Sequence, residues 1–152
     1  MLHRGRWSLT LVLLLSSVDP GVAAESNATP VGLWKTVDDQ TGEARSLVRI
    51  IESRGVVSGR IEQVLRKGVK PDAVCRKCDG DRHLQPIVGL EIIRSAKRVR
   101  DALVWDDGEI LQPESGRTFN VRLTPINGGR ELEVRASRFG IGRTQVWVRV
   151  TE

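Results

Sequence analysis

The sequence has little of what most catalytic sites require. Its 152 residues include two histidines and two cysteines, and His83 is the one histidine beyond the first 24 residues. No Gly-x-Ser-x-Gly nucleophile motif is present. The adjacent acids Asp38/Asp39 and Asp106/Asp107 lie at predicted turns, where carboxylates usually cap the backbone or face solvent. We therefore predict no catalytic residue, no enzymatic activity and no cofactor.

The charge pattern is not that of a nucleic-acid-binding protein. The formal net charge is +5, but the basic residues alternate singly with apolar ones and do not cluster with exposed aromatic residues. A mild positive charge instead favours contact with anionic surfaces or anionic ligands. We predict no nucleic-acid partner, and the sequence makes no prediction of oligomeric state.

Long hydrophobic runs are missing too. The apolar stretch at residues 7–15 is too short to span a bilayer. Arg4 and Arg6 precede it, and small residues follow at positions 22–24, which is the pattern of a secretory signal peptide. We predict cleavage after Ala24 and export, to the periplasm or the medium. The alternative, a short membrane anchor, is disfavoured by the same length, and no second apolar run is long enough to cross a membrane.

Helical periodicity is absent from the rest of the chain. No run of two turns or more keeps a 3.6-residue apolar period, and fifteen glycines separate short, alternating segments. A flexible leader is predicted at residues 25–31, followed by one domain at residues 32–152. Eight strands that close on themselves leave no free edge, so we predict an all-β, small antiparallel barrel. Its strands are expected at residues 33–38, 46–52, 56–65, 87–93, 103–111, 117–124, 131–137 and 143–150.

The two cysteines are the residues with the most evident chemistry. Cys75 and Cys78 lie three positions apart in a long polar segment, residues 66–85. In an exported protein this spacing favours a local disulfide that staples the loop. A thioredoxin-like redox centre is an alternative, although the βαβ pattern it needs is missing. Another alternative is a metal site that would add His83, Asp79 or Asp81.

The first and last predicted strands each carry a mixed tryptophan–polar face. These strands pair in a closed meander, so we expect Trp34 to be buried with Arg149 or Arg143 packed beside it, and Asp38 to lie near Arg143 or Gln145. One interpretation is a structural cluster that closes the barrel. The other is one wall of a ligand pocket, since pockets combine aromatic residues with a few polar groups. The candidate ligand contacts are Trp34, Asp38, Trp105, Arg143, Gln145, Trp147 and Arg149.

Four motifs together resemble the DUF2147 family of exported bacterial proteins without an assigned activity. They are GLWKTVDD at 32–39, CRKCDG at 75–80, PIVGL at 86–90 and GRTQVWVRV at 142–150. The resemblance implies a lipocalin-like barrel over nearly the whole chain beyond the leader. The sequence departs from the family pattern at Gln112 and Phe119, where the family usually has Asp and Tyr.

Three functional hypotheses follow. The first is an exported protein that binds a small, partly apolar ligand inside the barrel. The second is a non-catalytic structural or interaction module with a filled barrel. The third is a thiol or metal protein that uses Cys75 and Cys78. A cavity separates the first two, because a barrel filled by its own side chains leaves no room for a ligand.

Overall fold

Short alternating segments separated by glycine turns form eight antiparallel strands that close into one barrel. The computed structural model describes residues 28–151. Each strand pairs with the next, and the last pairs with the first through Trp34 opposite Arg149. The prediction of an all-β, eight-stranded barrel is confirmed. The strands are β1 Gly32–Val37, β2 Ala44–Ser53, β3 Val56–Val64, β4 Glu91–Arg98, β5 Trp105–Gln112, β6 Arg117–Ile126, β7 Glu131–Arg138 and β8 Ile141–Val150.

The predicted signal peptide, its cleavage point at Ala24 and residues 25–27 lie outside the described residues. Within the described range, no helix is long and apolar enough to cross a membrane. The two helical segments in this range are single 3-10 turns, Gly80–Arg82 and Asn127–Gly129.

The fourth strand is the one element that was predicted in the wrong place. It runs over Glu91–Arg98 rather than residues 87–93. The apolar run at 87–90 is strand-like in composition, but Gly89 takes a φ of +91° and turns the chain. The basic segment that follows is extended because Ala96 is buried between exposed neighbours, which is the alternation of a strand with one face inward.

Strand side chains fill the barrel from its middle to one of its ends. Most of the strand residues without exposed surface lie in this half, where β1, β3, β5 and β7 begin and β2, β4, β6 and β8 end. We call this half the closed end. The opposite half, where the β1–β2, β3–β4, β5–β6 and β7–β8 connections lie, is the open end. The strand residues with no exposed surface are Trp34, Val48, Ile50, Val57, Ile93, Ala96, Leu123 and Leu132.

Candidate functional site

A cavity of about 650 Å³ occupies the open end of the barrel. That volume lies within the range of small-molecule sites. Its wall is mostly apolar, and Trp147 forms part of its floor while remaining 2% exposed. The apolar lining near the floor includes Ile61, Ile92, Leu111 and Val134.

Polar side chains gather at the rim of this cavity. Three of the lining residues are arginines, Arg45, Arg66 and Arg143, and one is an acid, Glu114. Glu114 accepts hydrogen bonds from Arg45 at 2.6 Å and from Arg66 at 3.3 Å. Arg143 forms an ion pair at 2.7 Å with Asp39, which lies outside the lining. The lining thus has three arginines and one carboxylate, while Asp38 and Asp39 pair with Arg45 and Arg143 from outside the lining.

A chain of side-chain contacts joins the floor to the rim. The indole N–H of Trp147 donates to Gln145 Oε1 at 3.5 Å, and Gln145 Nε2 donates to Asp39 Oδ2 at 3.2 Å. Asp39 is also the partner of Arg143. Three of the seven predicted ligand contacts, Arg143, Gln145 and Trp147, thus line one cavity.

Asp38 does not take the place predicted for it. Its carboxylate accepts the backbone N–H groups of Gln40 and Thr41, both at 3.0 Å, and pairs with Arg45 at 3.2 Å. The hydrogen bond from the Thr41 N–H, followed by that from Gln40, lowers the pKa of Asp38. Because the turn holds Asp38, the next residue, Asp39, makes the contacts with β8 that were expected of Asp38.

Trp34 and Arg149 lie at the closed end, outside the cavity lining. The Arg149 guanidinium carbon lies 4.2 Å from the centroid of the Trp34 ring, and the Trp34 N–H donates to the Pro30 carbonyl at 2.7 Å. The expected burial of Trp34 under an arginine of the last strand is confirmed. This pair is therefore the barrel-closing cluster rather than a pocket wall.

Arg149 also ties the leader to the barrel. It donates to the carbonyls of Thr29, Val31 and Gly129 at 2.6, 2.8 and 2.5 Å. Burial lowers the pKa of Arg149. Residues 29–31 of the predicted flexible leader therefore contribute hydrogen-bond acceptors to the closed end.

Trp105, the remaining predicted contact, is 4% exposed and belongs to the core. Its ring centroid lies 5.6 Å from the guanidinium carbon of Arg98. It does not line the cavity. Its neighbours Asp106 and Asp107 lie at an irregularity in the β5–β6 register, so the turn predicted at these two acids is a bulge inside one continuous strand.

The rim residues Arg45, Arg66 and Glu114 were missed by the sequence interpretation. They lie at the start of β2, just after β3 and in the β5–β6 turn. In an up-and-down barrel these positions share one end with the start of β8, where Arg143 lies. The strand order alone therefore contained the signal that groups them.

Cys75 and Cys78 form a disulfide, with their Cα atoms 5.4 Å apart. Both are 1% exposed and belong to the core, although their segment is mostly polar. Val74 pairs with Pro86 in an isolated bridge, which folds the loop back on itself. The loop forms part of the cavity wall through Val69, Ala73, Val74 and Ile87.

Two of the side chains named for a metal site, His83 and Asp81, have other partners. His83 Nδ1 lies 2.8 Å from the Cys78 carbonyl oxygen, and Asp81 pairs with Arg94 at 2.6 Å. The hydrogen bond from Arg94 lowers the pKa of Asp81. Across residues 28–151, no three His, Cys, Asp or Glu side chains converge as metal ligands.

An eight-stranded antiparallel barrel, filled at one end and open at the other, is a lipocalin-like fold. The chain belongs to the DUF2147 family, described as an uncharacterized protein conserved in bacteria, whose model matches residues 32–149. Protein HP1028 from the human pathogen Helicobacter pylori, described as belonging to the lipocalin family, has a similar structure. The two chains are 18% identical, with a TM-score of 0.68 over 80% of this chain and 83% of that one. No curated protein matches the sequence.

Proposed function

We propose that this chain is an exported binding protein that holds a small, partly apolar ligand in the open end of its barrel. The observation that carries the proposal is the cavity of about 650 Å³, with apolar walls and a polar rim. Such a combination is the usual composition of a ligand site. In this proposal the protein binds its ligand and does not transform it.

The rim indicates the polarity of the ligand. Three arginines line the mouth of the cavity, and their guanidinium N–H groups are suited to donate hydrogen bonds to an anionic or hydrogen-bond-accepting group. The apolar wall and Trp147 favour hydrocarbon or aromatic groups deeper in the cavity. A molecule with an apolar body and one anionic end fits both requirements.

Native mass spectrometry of the protein purified from its own host tests this proposal. We expect a complex heavier than the chain by the mass of one small molecule, which is lost on denaturation. A homogeneous, ligand-free chain from host material would contradict it, as would a molecule retained equally by a variant with a filled cavity, such as Ala136→Trp.

Replacing Arg143 with alanine is expected to weaken ligand retention by about tenfold or more, because one charge-assisted hydrogen bond at the rim is lost. The melting temperature should stay nearly unchanged, since the Arg143 side chain is 63% exposed and exposed ion pairs contribute little to stability. Native mass spectrometry and thermal unfolding measure the two effects. Arg135→Ala is the matched control, because Arg135 lies near the same end but outside the cavity lining. Equal retention by both variants would remove Arg143 from the site.

Export makes a separate prediction. The mature protein is expected to begin at Glu25, because the small residues at positions 22–24 suit signal-peptide cleavage. N-terminal sequencing of protein recovered from the cell envelope measures this directly. An envelope form that retains Met1 would contradict it.

A further inference from the structure

The β7–β8 turn presents two apolar side chains to solvent. Phe139 and Ile141 are 89% and 82% exposed, the highest values among the exposed large hydrophobic residues of the described chain. Phe139 and Gly140 form the two-residue turn and take φ values of +52° and +79°. Such turns favour Asn or Asp at the first position and Gly at the second. Phe139 therefore occupies a sterically strained position without gaining any burial.

The part of the hairpin that follows Glu133 carries only basic charged side chains. Between Glu133 and Glu152 the sequence has four arginines and no acid. Arg138 lies over the Phe139 ring, 5.2 Å from its centroid. Arg143 lies two residues beyond Ile141 and forms an ion pair with Asp39. The charged residues that flank the exposed apolar tip along the hairpin are thus basic, which complements an anionic surface.

The tip also lies at the mouth of the cavity. Ile141 and Gly142 both line the cavity, while Phe139 lies outside that lining. A surface that contacts the tip therefore faces the opening of the barrel.

We propose that the Phe139–Ile141 tip docks on an anionic phospholipid bilayer. The two apolar side chains enter the boundary between headgroups and acyl chains, and Arg135, Arg138 and Arg143 contact the headgroup phosphates. The surface area of two side chains at a hairpin tip is far smaller than the roughly 1,000 Å² that a stable protein interface buries. A bilayer accepts such a small apolar group, and the net positive charge of the chain favours its approach.

Co-sedimentation with phosphatidylglycerol-containing vesicles, compared with pure phosphatidylcholine vesicles, tests the docking. We expect binding to the anionic vesicles that weakens as salt is added.

Phe139→Asn should weaken this binding by about tenfold or more, because the largest inserted group is lost. The same substitution suits the turn, so its melting temperature should be unchanged or higher. Leu103→Asn is the control, because Leu103 is also exposed, at 46%, but lies in the β4–β5 connection at the closed end.

Wild type and variants are compared with the same N-terminus, so any contribution of the N-terminal apolar stretch to vesicle binding is the same in all of them. Equal binding by wild type and Phe139→Asn would overturn the proposal, as would equal weakening by Leu103→Asn. Absence of vesicle binding by the wild type would overturn it as well. Ile141→Thr is a second variant that should also weaken binding. Ligand retention by Phe139→Asn should be unchanged, because Phe139 does not line the cavity, which separates failure of docking from failure of the proposed ligand site.

Discussion

Replacing Trp34 with alanine is expected to lower the free energy of unfolding by about 3–5 kcal/mol, as truncations of large buried aromatic residues do. Trp34 has no exposed surface, so the change opens a cavity in the filled half of the barrel. It also leaves the Pro30 carbonyl without its 2.7 Å donor and Arg149 without the ring on which it stacks. Chemical denaturation measures the loss, which is a large part of the stability of a domain of this size.

Two further variants divide this loss among its causes. Trp34→Phe keeps most of the ring and removes the N–H donor, so we expect a loss of about 1–3 kcal/mol from an unsatisfied carbonyl and reduced packing. Arg149→Ala removes the stacked guanidinium. A double-mutant cycle between Trp34 and Arg149 should give a coupling of about 0.5–2 kcal/mol. A Trp34→Ala protein as stable as wild type would show that the pair does not hold the closed end together.

The same experiment separates the two interpretations of the tryptophan–polar faces. Trp34 and Arg149 lie outside the cavity, so the folded fraction of Trp34→Ala should keep its ligand. Gly32 belongs to the same cluster, because a Cβ at this position would collide with Arg149 Nη1. The closed end is therefore a structural unit in which the glycine, the tryptophan and the arginine depend on one another.

The barrel and its closure could be predicted because they follow from local patterns. Period-2 alternation predicts the strands. Closure of the barrel places the first strand beside the last, and their even number makes this pair antiparallel. This is sufficient to bring Trp34 opposite Arg149, as the register shows. The prediction used only which side chains share a face, and that property survives small errors in strand boundaries.

The errors arose where the backbone leaves the strand pattern. Asp38 and Asp39 are equivalent in the sequence, and only the hydrogen bonds of the β1–β2 turn decide that Asp38 caps the turn while Asp39 meets Arg143. Residues 87–90 are apolar enough for a strand, but Gly89 turns the chain, and Ile87, next to the loop bridge at Pro86, lines the cavity. Both outcomes depend on contacts between segments rather than on composition.

The position of the cavity could not be predicted from the sequence pattern alone. Which half of a barrel is filled depends on the summed volumes of side chains from eight strands and on how the long loop folds over one end. The disulfide-bearing loop was predicted as a polar connection, yet Cys75 and Cys78 are core residues. The polarity of a loop therefore did not indicate its burial.

Replacing Gly116 with alanine is expected to lower the free energy of unfolding by about 2–5 kcal/mol, from backbone strain and steric overlap together. Gly116 lies in the β5–β6 turn with a φ of +72°, and a Cβ there would collide with the backbone carbonyl of Lys77. Lys77 lies between the two disulfide cysteines. The added methyl group must therefore push the disulfide-bearing loop away from the turn, and this loop forms part of the cavity wall.

Gly42→Ala is the matched control, because Gly42 lies in the β1–β2 turn at the same end of the barrel, with a φ of +71° and no atom within 4 Å of the added Cβ. This substitution should lower the free energy of unfolding by about 1–2 kcal/mol, from backbone strain alone. The difference between the two losses of unfolding free energy measures the contact between the disulfide-bearing loop and the β5–β6 turn. Gly116→Ala should also weaken ligand retention in native mass spectrometry, whereas Gly42→Ala should not. Equal effects of the two substitutions on stability and on retention would show that the loop does not need this contact to complete the site.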